Sequence, residues 1–389
     1  MRWKGWPVPT GSRDPAKANR SALLAELLAA GPMSRVELSR RTGLSPATTN
    51  RLTAALQESG LVQEVGSDLS TGGRPSMLVQ FNPDARRILA ADITQDVVET
   101  AAINLGGKIE ERHSRAISGL SPEEKAEALR SSLTEALASW EGLPPVAVGV
   151  SVPGPVTDAG VVTLAPAVGW YDFPLGSKLA DCCPGPIIVE NDVNLIAYGE
   201  FFCGAIPEAN SLLAIGVFQG VGAGIVEHGR LWRGQGGAAG QFGRMLMDVN
   251  GLREDRKGFG QVERRLGETA LRDRAVEASV LFSDDASADA LFDQVERGEP
   301  RAAALFSEAM DEYAFQLVNL CAIVAPEVIV FDGLFGRWSH LVIPALSERL
   351  HENVLHEPIL SPSGLQGDAK LVGAALYALD AAGGILELA

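Results

Sequence analysis

The sequence predicts an α/β protein in two parts: a small helical head with a β-wing, then a larger body of two α/β lobes. Three observations support this fold class. The charge is divided between the two parts, the first 82 residues have the spacing of a winged helix-turn-helix, and the remainder alternates strand meanders with crossover helices in two cycles. A length of 389 residues suits two or three domains at roughly 100 to 200 residues each.

Charge separates the head from the body. Residues 1–90 contain twelve basic and seven acidic side chains, which gives +5, and the total of -16 therefore leaves -21 on the rest. A cationic head on an anionic body indicates that the head alone meets a polyanion such as DNA. The chain contains no run of about 18 apolar residues and begins without an apolar leader, so a cytoplasmic location is expected.

Three short helices are predicted in the head. A leucine stripe marks a helix over residues 18–30. Ser34 begins a second helix, with Glu37 at capping-box spacing and Gly43 as the C-terminal glycine. Ser45, followed by proline, caps a third helix that ends before Gly60. The second and third helices with their tight turn match a helix-turn-helix, so the third is the recognition helix.

The recognition helix carries outward side chains suited to DNA. Asn50 and Arg51 are residue types that read adenine and guanine edges, whereas Ala47 and Thr48 suit a thymine methyl or a phosphate. Which of them contacts bases is left open, as is a head used for protein contacts. The expected DNA-binding residues are Arg35, Ser45, Ala47, Thr48, Asn50, Arg51 and Arg74.

A β-wing is predicted after the recognition helix. Residues 61–65 and 77–81 alternate like two strands around a polar turn. The turn contains Gly73-Arg74-Pro75, which resembles the core of an AT-hook, in which arginine enters a narrow minor groove. The alternative is a turn that simply needs glycine and proline. Both interpretations stay open.

The body reads as two successive α/β units with a cleft between them. A cleft between lobes is the default ligand site. The predicted strands are residues 89–94, 97–105, 108–113, 146–152, 187–190, 212–217, 223–226 and 328–331, with helices over 121–138, from Asp192 onward, around the last strand and at the C-terminus.

Several segments taken together identify a family. They are the head with its GRP wing, VGVSVPGPVTDAGVVTLAPAVGW, VENDVNLIAYGE, GVGAGIVEHGRLWRG, GAAGQFGRM and PEVIVFDG. The chain resembles the ROK family (repressors, open reading frames and sugar kinases), which has the actin-like, RNase H-like two-lobed sugar-kinase fold. The resemblance implies a winged helix-turn-helix over residues 14–82 and a sugar-kinase-like effector domain over residues 83–389.

The resemblance also implies a nucleotide site that is damaged here. The family's first phosphate loop, D-x-G-G-T, reads Asp92 to Asp96 without a glycine, and an acid there repels phosphate. The second loop, G-T-G-x-G, begins with Phe218, and an adenosine-side glycine is replaced by Asp332. We therefore expect no enzymatic activity and no cofactor, with Asp192, the family's general base, as a vestige.

On the sugar side the resemblance implies a changed pocket. The family's E-x-G-H glutamate and histidine correspond to Gln241 and Arg244, and the zinc-binding cysteines are missing, so no metal is expected. Arginine suits carboxylate or phosphate, so the ligand hypothesis covers sugars and sugar phosphates. The alternatives are that Arg244 only neutralises an acid and that Asp192 only caps a helix. The expected effector-binding residues are Asn191, Asp192, Gln241, Arg244 and Glu263.

The function expected from these features is a DNA-binding transcriptional regulator of carbohydrate metabolism, a repressor that senses a sugar. Its expected partners are double-stranded operator DNA and a sugar or sugar-phosphate effector, in a homodimer or a dimer of dimers. Two alternatives remain: a sugar kinase that retained a DNA-binding head, and a DNA-binding protein that responds to no effector.

Overall fold

A computed structural model describes residues 15–68, 76–183, 185–204, 206, 208–253, 258–282 and 287–388. The helices are α1 (Pro15–Ala30), α2 (Arg35–Thr42), α3 (Pro46–Glu58), α4 (Pro122–Ala138), α5 (Leu175–Leu179), α6 (Asp192–Cys203), α7 (Gln261–Leu266), α8 (Glu268–Glu277), α9 (Ala288–Glu296), α10 (Pro300–Val324), α11 (Leu334–Arg337), α12 (Ser339–Leu350) and α13 (Ala369–Ala381). No helix in these ranges is long and apolar enough to span a membrane.

The strands of the described residues form four sheets. They are β1 (Met33–Ser34), β2 (Val62–Asp68), β3 (Ser76–Phe81), β4 (Arg87–Ile93), β5 (Val97–Asn104), β6 (Ile109–Ala116), β7 (Val148–Val152), β8 (Val162–Ala165), β9 (Trp170–Phe173), β10 (Ile187–Asn191), β11 (Ser211–Val217), β12 (Val221–Glu227), β13 (Arg230–Leu231), β14 (Val328–Gly333) and β15 (Ile359–Pro362). Strands β8 and β9 pair as a separate hairpin.

The head contains the three predicted helices and both wing strands. Ser34 Oγ accepts a hydrogen bond from the backbone N–H of Glu37, and Gly43 ends α2 with φ +69°. Ser45 Oγ accepts from Thr48 N at the start of α3. The sequence did not predict β1, which pairs with β3 to complete a three-stranded sheet. A two-residue strand is too short to show a hydrophobic period.

Lobe 1 is built on the sheet β10-β7-β4-β5-β6. Strands β4, β5 and β6 form the predicted antiparallel meander, and β7 and β10 extend the sheet in parallel. Lobe 2 is built on the sheet β13-β12-β11-β14-β15, which packs against α10 and α12 around Tyr313, Phe331 and Phe335. The two cycles predicted from the sequence are therefore two separate sheets.

Helices α6 and α13 cross between the sheets at very short range. A Cβ atom on Gly373 of α13 would lie 1.9 Å from the carbonyl oxygen of Leu195 in α6. A Cβ on Gly199 would lie 2.9 Å from the carbonyl oxygen of Ala369. Glycine is required at these crossings because any side chain would separate the two helices. Both helices begin at the cleft between the lobes.

The head and lobe 1 share one hydrophobic core. Leu23 of α1 belongs to the same buried cluster as Ile103 of β5 and Leu379 of α13. After α13, the 3-10 helix Ile385–Leu388 packs against α1. The predicted domain boundary between residues 82 and 83 falls just before the short 3-10 helix Pro83–Ala85 and stays a prediction.

Candidate functional site

A cleft of about 580 Å³ lies between the lobes, and all five residues predicted to bind the effector line it. Asn191 and Asp192 come from the junction of β10 and α6. Gln241, Arg244 and Glu263 come from the segment that follows β13. The structure therefore brings together side chains that are up to 72 positions apart in the sequence.

Asn191, rather than Asp192, caps α6. Its Oδ1 accepts hydrogen bonds of 3.1 Å from the backbone N–H groups of Val193 and Asn194, and its Nδ2 donates to the carbonyl oxygen of Gly154 at 3.1 Å. This corrects the alternative that Asp192 serves only as the cap. Asp192 is left facing the cleft with one carboxylate oxygen, Oδ2, free of the helix backbone.

Lys370 is the counter-ion of Asp192, and the sequence analysis missed it. Its Nζ lies 3.5 Å from Oδ2 of Asp192, 3.9 Å from Oδ2 of Asp92 and 4.0 Å from the centroid of the Phe218 ring. Burial raises the pKa of Asp192, and the charge of Lys370 opposes that rise. The one available signal was a single lysine in the first turn of α13, followed by a mostly apolar run.

Glu263 and Arg244 lie on the opposite wall. Glu263 Oε2 accepts a 2.5 Å hydrogen bond from Gly260 N, and Arg244 Nη1 donates to the carbonyl oxygen of Gly258 at 2.9 Å. Burial raises the pKa of Glu263, while backbone hydrogen bonds and the nearby charge of Arg244 oppose the rise. The alternative that Arg244 only neutralises an acid, Asp192 or Glu263, stays open: its charge acts on Glu263, whereas Asp192 has Lys370 as its counter-ion.

A buried ion pair supports the wall of the cleft that carries Asn191. Glu190 is 1% exposed, and its Oε2 accepts a 2.6 Å hydrogen bond from Arg233 Nε. Oε1 of Glu190 accepts from Asn191 N at 2.7 Å and from Asn194 Nδ2 at 3.0 Å. Arg233 also bonds Asp158 and the carbonyl oxygen of Val156. Glu190 and Arg233, also missed from sequence, thus fix the position of Asn191.

The two segments that correspond to phosphate loops face each other across the cleft. Thr94 and Asp96 lie on one side and Gln219 and Gly222 on the other. Asp92 is held in the sheet by a 2.5 Å hydrogen bond from Ser151 Oγ. The basic group that lies between these two segments is a side chain of the protein, Lys370.

In the head, α3 presents the side chains expected to meet DNA. Ala47, Asn50 and Arg51 are exposed and Thr48 is half-buried, while Thr49, Leu52 and Leu56 are buried against the other helices. The orientation predicted for this helix is therefore confirmed. Which of the exposed residues bind DNA stays a prediction.

The remaining predicted head residues differ in their settings. Arg35 is engaged within the head, since its Nη2 donates to Gln57 Oε1 at 2.8 Å and to Glu64 Oε1 at 2.9 Å. Ser45 Oγ is used by the cap of α3. Arg74 and the Gly-Arg-Pro tip lie outside the described residues.

The body has two lobes with a cleft between them and is joined to a winged helix-turn-helix. These features define the class of protein: an actin-like sugar-kinase fold preceded by a head of the winged helix-turn-helix type. Residues 18–63 match the winged helix-turn-helix DNA-binding family, and residues 88–381 match the ROK family. The second match covers well over half of the chain. The protein belongs to the ROK family.

Similar proteins include both regulators and kinases. The xylose repressor of Bacillus subtilis is 30% identical over 239 residues, which cover 60% of this chain and 62% of the repressor. A ROK family transcriptional regulator homologous to the Escherichia coli MLC protein has a TM-score of 0.79 at 21% identity, over 96% of this chain and 98% of its own. A ROK family glucokinase of Streptomyces griseus, in complex with glucose and AMPPNP, has a TM-score of 0.65 at 23% identity and covers 76% of this chain and 99% of the glucokinase.

Proposed function

We propose that the protein is a sugar-responsive transcriptional regulator that binds operator DNA through its head and acts as a repressor. The observation that carries the proposal is that a polar cleft and a helix-turn-helix head are joined by one helix, α13. The xylose repressor of Bacillus subtilis and the full-length likeness to a ROK transcriptional regulator support it.

The cleft has the groups that bind sugar hydroxyls. Hydroxyls act as both donors and acceptors, and Asp192, Glu263 and Gln241 offer acceptors while Gln241 and Arg244 offer donors. The charges of Arg244 and Lys370 are already opposed by Glu263 and Asp192. This balance favours an uncharged sugar over a sugar phosphate within the ligand class that we propose.

DNA binding is proposed to use the exposed face of α3. Asn50 and Arg51 are exposed near the N-terminal half of this helix, which is the part of a recognition helix that reaches base edges. The neighbouring Arg40, 75% exposed on α2, is placed for backbone contact. Two such heads on a two-fold axis suit half-sites one helical turn apart, so we propose a homodimer.

Helix α13 is the proposed connection between ligand and DNA. Its first turn carries Lys370 at the cleft, and the segment after its last turn places Ile385 in the core shared with the head. The tight crossing with α6 leaves little room for independent movement of the two helices. A ligand that moves the start of α6 would therefore shift α13 and, with it, the core against which the head packs. This requires that the ligand bind the two arrangements with different affinity.

A sugar kinase is the second candidate, favoured by Asp192, which is buried at the cleft, and by the glucokinase likeness. Against it stand Lys370, which occupies the space between the two loops, and the acids at Asp96 and Asp332. Coupled assays of ATP turnover with a panel of hexoses and pentoses decide between the two. We expect no phosphorylation, and sugar-dependent turnover lost in Asp192→Asn would establish the kinase.

Operator binding in the presence of sugars tests the regulator directly. Genome-wide footprinting first supplies the bound DNA, and fluorescence anisotropy then measures its affinity with each sugar of the panel. We expect at least one neutral sugar to lower operator affinity, and Asp192→Asn to retain operator binding while losing that response. Operator binding unchanged by every sugar would instead support the effector-independent alternative, and no footprint at all would refute DNA regulation.

A further inference from the structure

The charge distribution around Lys370 is unusual for a buried lysine. Two carboxylates, Asp192 and Asp92, lie within 4 Å of its Nζ at 3.5 and 3.9 Å, and Asp332 is close enough to act on it electrostatically. Burial acts to lower the pKa of Lys370, but the three acids outweigh burial and the net pKa is raised. The ammonium group therefore stays charged inside the protein.

Lys370 also joins the two lobes. Asp92 lies in β4 of lobe 1, whereas Phe218 directly follows β11 of lobe 2, and Lys370 Nζ contacts both. The ring of Phe218 lies 4.0 Å from the ammonium, within the range of a cation–π interaction. A single side chain thus fixes the spacing of the two loops that resemble phosphate loops.

We propose that Lys370 is a tethered counter-ion that closes the nucleotide half of the cleft, so that the protein binds its ligand without a divalent metal or a nucleotide. The ammonium of Lys370 lies between Asp92 and Phe218, which belong to the segments that correspond to the phosphate loops, so a phosphate group at that point would have to displace it. The ligand is left the half lined by Asn191, Asp192, Gln241, Arg244 and Glu263.

The acids around Lys370 make the proposal testable. Removing the ammonium leaves Asp92 and Asp192 facing one another without a counter-ion, which is strongly unfavourable in a buried site. Oxygen-binding cations such as Mg²⁺ and Ca²⁺ bind to one or two carboxylates with water completing the shell. A divalent ion should then take over the role of the lysine, although the described part of the wild-type chain holds no ready-made metal cluster.

The experiment compares thermal unfolding of the full chain with and without MgCl₂ or CaCl₂. We expect Lys370→Met to lower the unfolding midpoint by several degrees, and a divalent ion to restore a large part of the loss, since an ion that binds only the folded state raises its stability. Wild type and Lys370→Arg should show no such response. NaCl at equal ionic strength controls for general screening.

The charge-balanced double variant Lys370→Met/Asp92→Asn is the matched control. It has the same net charge as wild type in the cleft, so it should be more stable than Lys370→Met and insensitive to divalent ions. If the double variant is no more stable than the single one, or if neither folds, Lys370 acts through packing and the proposal fails. It also fails if Mg²⁺ with ATP stabilises the wild type.

This inference is independent of the proposed function, because its tests use neither DNA nor sugar. Loss of the divalent-ion effect would leave the regulator intact, and absence of operator binding would leave the counter-ion role intact.

Discussion

Arg233 Nε and Glu190 Oε2 lie 2.6 Å apart, and this pair joins lobe 2 to lobe 1 directly behind the ligand cleft. Glu190 is 1% exposed and ends the strand that leads into Asn191, whereas Arg233 follows β13 of the other lobe. Because the arginine also bonds Asp158 and Val156, one guanidinium determines how closely the lobes approach.

Breaking this pair should be costly. Arg233→Met leaves the buried carboxylate of Glu190 without its partner, which we expect to lower the free energy of unfolding by about 3–5 kcal/mol. Urea denaturation monitored by tryptophan fluorescence measures it. Arg301→Met is the control, because Arg301 is 60% exposed in its pair with Glu299 and should cost only about 0–1 kcal/mol. Equal losses in the two variants would show that the pair adds nothing specific.

Substitution on the recognition helix should weaken operator binding without changing the fold. For Arg51→Ala we expect a loss of about 1–3 kcal/mol in binding free energy if the side chain reads a base, or a weaker salt dependence if it contacts phosphate. Anisotropy titrations at several salt concentrations separate these cases. Arg301→Ala removes the same charge from the body, so an equal loss there would mean that only net charge matters.

Arg35 should contribute to the head's structure more than to DNA contact. Its bond to Glu64 lowers the pKa of that carboxyl, and both side chains are part-exposed. Because solvent screens this pair, we expect Arg35→Ala to cost little stability and to reduce operator affinity less than Arg51→Ala does. If Arg35→Ala lost as much DNA affinity as Arg51→Ala while keeping its stability, Arg35 would be a DNA-contacting residue after all.

The C-terminal segment should carry the ligand response to the head. Ile385→Ala opens a cavity in the shared core and should cost about 2–5 kcal/mol, and it should reduce the effect of sugar on operator affinity. Calorimetry should still detect sugar binding. Leu350→Ala, in the core of lobe 2, is the control for destabilisation alone and should keep the response. Coupling unchanged in Ile385→Ala would exclude this route.

Sugar binding should weaken at acidic pH. Burial raises the pKa of Asp192 above its ordinary value of 3.8, and the carboxylate form is the one that accepts a hydroxyl hydrogen bond. Affinity should therefore be present above that raised pKa and be lost as the pH falls through it. Calorimetry over a pH series measures the effect. Asp192→Asn should bind sugar only weakly, with the same affinity at every pH of the series, so a pH dependence that persists in that variant would belong to another group.

The sequence alone determined the local features of the protein. Caps such as Ser34 and Ser45, the terminal Gly43 and the alternating strands act over a few residues, so their positions follow from short-range sterics and hydrogen bonding. The family motifs likewise predicted that Asn191 and Glu263 share one cleft.

Tertiary structure alone decided which charges meet. Lys370 reaches Asp192, Arg233 reaches Glu190, and Arg35 is bound within the head, although nothing in the spacing of these residues indicates it. The choice follows from how the sheets and the crossing of α6 and α13 bring distant segments together. Burial then makes each charge require a partner, because an unpaired charge out of water is strongly unfavourable.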